Sequence, residues 1–223
     1  MKLSILVPAF ALTIATSAHA ATVGVSSAAA LGANDSIDWS QLGASLTIVA
    51  GPASVTSAGG VAATVNDPGG ILQRVDQGTP IGWNGNFADG TPLLWDANLG
   101  DITIDFSSPV YGVGAQIQNV DDGKFTATVT SGGTVYNLPG WSDIPGVGDG
   151  SAIFIGLLSD TAISSIVFHT VGAGGDEGFA IGPLLLKTVE GVPEPAAWAL
   201  MIGGVGMVGG ALRRRQRASI RFA

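Results

Sequence analysis

Between residues 100 and 140 the chain alternates apolar and polar side chains so regularly that few folds can accept it. Ile102-Thr103-Ile104-Asp105-Phe106 alternates without a fault. Val113, Ala115 and Ile117 alternate with Gly114, Gln116 and Gln118, and Phe125, Ala127 and Val129 alternate with Thr126, Thr128 and Thr130. A period of two sends successive side chains to opposite faces of a strand, so each run is a half-buried β-strand. Asp121-Asp122-Gly123 and Ser131-Gly132-Gly133 punctuate the runs as hairpin turns in which glycine supplies the positive φ. Further strands are predicted over 45–50, 134–138, 151–157, 164–170 and 179–188, the last bent at Pro183. No window of twelve residues shows a 3.6-residue period. The pattern therefore predicts an all-β, jelly-roll-like β-sandwich ectodomain with little helix outside the two ends.

Composition narrows the chemistry. The 223 residues include 34 glycines and no cysteine, which excludes a disulfide framework, a thiolate metal site and a cysteine nucleophile. The net charge of −8 is an average over three unlike segments. Lys2 lies at the N-terminus, five arginines lie within the last eleven residues, and between 21 and 192 Arg74, Lys124 and Lys187 face sixteen acids. So acidic a body disfavours nucleic acid and anionic membrane surfaces as partners.

The two ends read as targeting segments. Residues 1–20 hold a charged start at Lys2, an apolar run from Leu3 to Ala15, and Ala18-His19-Ala20. That is the form of a signal peptide with Ala18 and Ala20 as the small residues of the cleavage site, which makes signal peptidase a partner. An uncleaved anchor is the alternative, but the apolar run is short for a bilayer span of about 20 residues. At the other end Pro193-Glu194-Pro195 precedes an uncharged stretch, 196–212, and then Arg213, Arg214, Arg215 and Arg217. The uncharged stretch is long enough for a single short transmembrane helix, weakened by its glycines, and the arginines would hold its far end in the cytoplasm as a stop-transfer signal.

In that order, the Pro-Glu-Pro triplet, the glycine-rich apolar stretch and the basic tail resemble the PEP-CTERM sorting signal of Gram-negative bacteria that make exopolysaccharide. The resemblance covers 191–217 and implies that an exosortase-type membrane protease recognises Pro193, Glu194 and Pro195 and removes the segment after transient inner-membrane insertion. Ala218 to Ala223 extend past the point where the family pattern stops. A type I single-pass anchor is the alternative reading. The body, 21–190, also resembles ectodomains attached to such signals. Its segments 101–118 and 179–186 are similar to strands of carbohydrate-binding-module-like sandwiches.

Little in the body can support catalysis. His169 is the one histidine that survives removal of the leader, too few for a multi-histidine metal site, and no Gly-x-Ser-x-Gly elbow occurs. The aspartates mostly occupy turn contexts such as Asn66-Asp67-Pro68-Gly69, which gives them a structural reason to be there. A structural calcium ion is the metal such turns would take, and Asp176 with Glu177, adjacent acids inside the glycine loop 172–178, is the preferred place. No cofactor is required. Sugar chemistry points to the segment 82–100, where Trp83 is flanked by Asn84 and Asn86, an aromatic face with amides to bond hydroxyls. Leu93, Leu94 and Trp95 are expected to cap one end of the sandwich.

The sequence thus describes an exported, non-enzymatic cell-envelope or extracellular-matrix protein that passes through the inner membrane to the cell surface or beyond and binds exopolysaccharide, as in a biofilm. The alternatives are a carbohydrate-active enzyme using an Asp/Glu pair, and a purely structural matrix component.

Overall fold

The computed structural model describes residues 21–78, 83, 87–97, 100–142, 152–189, 204–205 and 207–208. The chain divides into two units, Met1–Thr188 and Val189–Ala223. The first begins with β1 (Thr22–Val25), a one-turn helix α1 (Ala28–Leu31), β2 (Asp35–Ile37), a 3₁₀ turn over Trp39–Leu42, β3 (Thr47–Val49), β4 (Ala53–Thr56) and β5 (Ala62–Asn66). It continues through β6 (Leu72–Asp76), β7 (Pro92–Asp96), β8 (Ile102–Asn119), β9 (Gly123–Ser131), β10 (Thr134–Ser142) and β11 (Ile153–Gly172). It closes with β12 (Gly175–Asp176), β13 (Phe179–Ile181) and β14 (Leu184–Lys187). In the second unit the described residues Gly204, Val205, Met207 and Val208 are helical. No helix of the described residues is long and apolar enough to cross a membrane.

Two long antiparallel strands, β8 and β11, organise the sandwich by belonging to both of its layers. In one layer their outer halves pair with each other, β11 pairs with β9 and β8 with β5, giving the order β4-β5-β8-β11-β9-β10. In the other, residues 153–158 of β11 lie between β1 and the second half of β8, and β8 goes on to pair with β14 and β13, beyond which come β7, β6 and β3. The passage between layers is visible as register slips. From the pair Leu158↔Gly112 to Ile163↔Val110 the extra residues lie in β11, and from there to Ser165↔Asp105 they lie in β8. Such bulges bend a strand and strengthen its twist, and Pro109, which has no N–H to leave unpaired, lies at the bend.

The alternation read from the sequence becomes the core. Ile102, Ile104, Val129, Ile166 and Phe168 face inward from one layer and Val113, Ala115, Ile117, Ile155, Leu157 and Leu186 from the other, all at 0% exposure. Trp39 closes this core from the 3₁₀ turn, and its buried Nε1 donates to the Gly182 carbonyl at 2.7 Å. The expected hairpin turns form, with Gly123, Gly132 and Gly133 at φ of 113°, 54° and 82°. The structure departs from the sequence reading at the joins. Residues 102–119 and 153–172 are each one continuous strand where two were predicted, because a bulge changes the layer without ending the ladder. The run 179–188 breaks at Gly182-Pro183, as its proline suggested.

Candidate functional site

The outer face of the first layer, opposite the core, carries the site. Strand β10 ends the main path of hydrogen-bonded strands, so Pro139 is tolerated there without breaking an inner ladder. Its alternation turns Val135, Asn137, Pro139 and Trp141 outward. Across the ladder, Trp141 is opposite Lys124, Pro139 opposite Thr126, and Asn137 opposite Thr128. The next strand continues two of these rows, Val171 lying beside Thr126 and His169 beside Thr128. Thr128 donates its hydroxyl to Asn137 Oδ1 at 2.8 Å, which orients the amide along the face.

Trp141 is half exposed, at 50%, and forms one wall of an open groove of about 910 Å³ lined also by Lys124, Thr126, Pro139, Val171 and Gly172. The groove owes its floor to Gly140. A Cβ there would fall 2.3 Å from the Phe125 ring, so glycine lets Phe125 pack flat beneath β10 while Trp141 stays outside. An open indole beside hydroxyls, an amide and an ammonium group offers what a sugar chain needs, an apolar ring face and polar atoms for hydroxyls. The sequence analysis did not single out Trp141. The available signal was its place in the outward register of 134–141, two residues beyond a proline in an edge strand.

The residues that were singled out lie elsewhere. Trp83 is 6% exposed and belongs to a second, smaller core with Val75, Phe87, Leu93, Ala152 and Ala180, its ring meeting Trp95 edge-on at a centroid distance of 5.9 Å. A ring enclosed in this way has no open face for a sugar, which corrects the expectation placed on it. Asn84 and Asn86 lie outside the described residues. The Gln77 side chain, just beyond the end of β6, holds Trp83 in place: Trp83 N donates to Gln77 Oε1 at 2.9 Å and Gln77 Nε2 donates to the Trp83 carbonyl at 2.5 Å. Gln77→Ala strips both partners from a buried peptide group and should cost about 2–3 kcal/mol in a urea titration. Trp83→Ala, which empties the small core, should cost about 3–5 kcal/mol.

Asp176 and Glu177 diverge. Asp176 is exposed and turns toward His169, whose Nε2 lies 3.4 Å from its Oδ1, while His169 Nδ1 lies 2.8 Å from Asp101 Oδ1 without the alignment of a hydrogen bond. Glu177 folds the other way, over Gly172, and accepts from Gly174 N at 3.2 Å. Neighbouring residues in an extended chain point to opposite sides, so the two carboxylates do not converge on one ion. Among the described residues no three acids or histidines gather as a metal-ligating group. Ala18, Ala20, Pro193, Glu194, Pro195, Arg213, Arg214, Arg215 and Arg217 lie outside the described residues.

Residues 191–215 match the PEP-CTERM protein-sorting motif. The motif implies export and sorting to the cell surface. No sequence among the curated proteins matches the chain. Solved structures similar to it include a CBM29-2 variant from a study of ligand recognition by family 29 carbohydrate-binding modules, at 16% identity and a TM-score of 0.30 over 65% of this chain and 92% of that one. Another is a CBM29-2 variant complexed with mannohexaose, at 15% identity and a TM-score of 0.29 over the same shares of the two chains. A third is CsCBM6-3 from Clostridium stercorarium in complex with cellobiose, at 12% identity and a TM-score of 0.23 over 74% of this chain and 93% of that one.

Proposed function

We propose that this chain is a non-catalytic, surface-destined β-sandwich that binds a polysaccharide across the outer face of β9, β10 and β11, and that its PEP-CTERM segment is cut by an exosortase-type protease. The observation that carries the binding half is the half-exposed Trp141 beside a groove of threonine, lysine and proline side chains. Burying a side chain of this size stabilises a sandwich, so leaving it open on a face that mixes Val135, Pro139 and Val171 with threonine, asparagine and lysine suits a partner with both an apolar surface and hydroxyls, such as a pyranose ring. The rows Asn137–Thr128–His169 and Pro139–Thr126–Val171 continue the face from β10 across β9 to β11.

The sorting half rests on the matched motif, with Pro193, Glu194 and Pro195 as the residues the protease would read. The two prolines remove backbone donors and disfavour helix immediately before the apolar stretch, leaving a segment a protease can engage in extended form. Affinity electrophoresis of the purified chain in gels cast with bacterial exopolysaccharides tests the binding half. Retardation by at least one polysaccharide is the expected result; migration unchanged in all of them would remove the binding reading, and breakdown of the glycan would replace it with an enzymatic one.

A further inference from the structure

Asp67 follows directly on β5 and is only 9% exposed. Its Oδ1 accepts from Gly69 N at 3.1 Å, whereas Oδ2 is fully enclosed and has no hydrogen-bond partner among the described residues. Among the described residues no ion pair relieves it: Arg74 is joined to Asp76 at 2.5 Å, Lys124 lines the groove on β9, and the Lys187 ammonium lies close to Gly32. A buried carboxylate left in this state is strongly unfavourable unless something positive joins it. A second carboxylate lies close by. Asp96, at the end of β7, is wholly buried, and its Oδ2 accepts from Gly100 N at 2.7 Å. A Cβ built on Gly100 would fall 2.2 Å from Asp67 Oδ1, and one built on Gly70 would fall 2.1 Å from Asp67 Oδ2. Both carboxylates therefore press against the backbone of Gly100, at a place where only side-chain-free residues fit.

We propose that Asp67 and Asp96 hold a calcium ion beside Gly100, with backbone carbonyls and water completing its shell. Both named donors are carboxylate oxygens, the preference of a hard cation, and the chain has no cysteine to supply a soft thiolate. Calcium accepts six to eight oxygens in loose geometry and binds extracellular modules at about 0.1–1 mM, concentrations an exported protein meets. The ion would join β5 to β7, strands that the ladders connect only through β8 and β13. This site is separate from the glycan face and does not depend on it.

The test uses the full chain purified in detergent and stripped with a chelator. Calcium at a hundred times its dissociation constant should raise the melting temperature by about 5–10 °C, and terbium should give tryptophan-sensitised emission that calcium quenches. Asp67→Asn and Asp67→Ala, checked for fold by circular dichroism, should lose both effects, while Asp176→Asn keeps them. Amide hydrogen exchange on the unmodified chain locates the ion without any substitution, with slowing expected at Gly69, Gly70 and Gly100. A flat melting temperature without terbium emission overturns the proposal. So does a calcium effect that survives in both Asp67 variants, or slowed exchange confined to other segments.

Discussion

Trp141→Ala should reduce polysaccharide affinity roughly 10- to 100-fold with almost no change in stability. Truncating a tryptophan anchor commonly costs about 2 kcal/mol or more of binding energy, and each 1.4 kcal/mol is about tenfold. Its ring is half in solvent and lies on the outer face, so folding gains little from it; surface substitutions of this kind usually stay within about 0.5 kcal/mol. The pair of measurements, affinity electrophoresis and urea unfolding, separates this residue from Trp83. Trp83→Ala should shift the unfolding midpoint strongly and impair binding only in proportion to the protein unfolded. Equal binding by Trp141→Ala and the unmodified chain would mean that the open indole has another purpose.

The second large effect is covalent. In cells that possess an exosortase-type protease the chain should lose its C-terminal segment, and in cells without one it should be recovered from the membrane at full mass. Replacing Pro193, Glu194 and Pro195 together by alanine should abolish the difference, because it removes the side chains the protease would read and replaces two helix-breaking residues with the strongest helix former. Intact-mass measurement reads the outcome directly. A full-length chain in both hosts would favour a permanent type I anchor.

These experiments concern two parts of the chain that differ in how openly the sequence shows them. The sorting segment is legible because its order of features along the chain is the signal, and the match at 191–215 falls where Pro193-Glu194-Pro195 and the arginines had placed it. The inward-facing sides of β8 and β9 are legible for a similar reason: a strand with one wet face must alternate, and Ile102, Ile104 and Phe125, Ala127, Val129 do so and are buried. The short strands were not. β2, β4, β5 and β6 hold three to five residues each, too few for alternation to stand out, and they are strands because β14 offers β2 a ladder, β8 offers one to β5, β5 to β4 and β7 to β6.

The candidate sites show the same division. Trp83 and Trp141 are both tryptophans beside glycine, and nothing local tells a buried ring from an open one. The difference is made by Gln77, which takes the backbone of Trp83 into a second core, and by the edge position of β10, which leaves Trp141 uncovered. Likewise Asp176 and Glu177 are neighbours in the chain yet diverge in space, whereas Asp67 and Asp96, twenty-nine residues apart, meet at Gly100. The sequence alone determined the β class, the strand faces and the sorting motif, since each is written in local period or order. Which aromatic faces solvent and which carboxylates share a site were decided only by tertiary structure, because contacts between distant segments depend on pairing and register that no local pattern records.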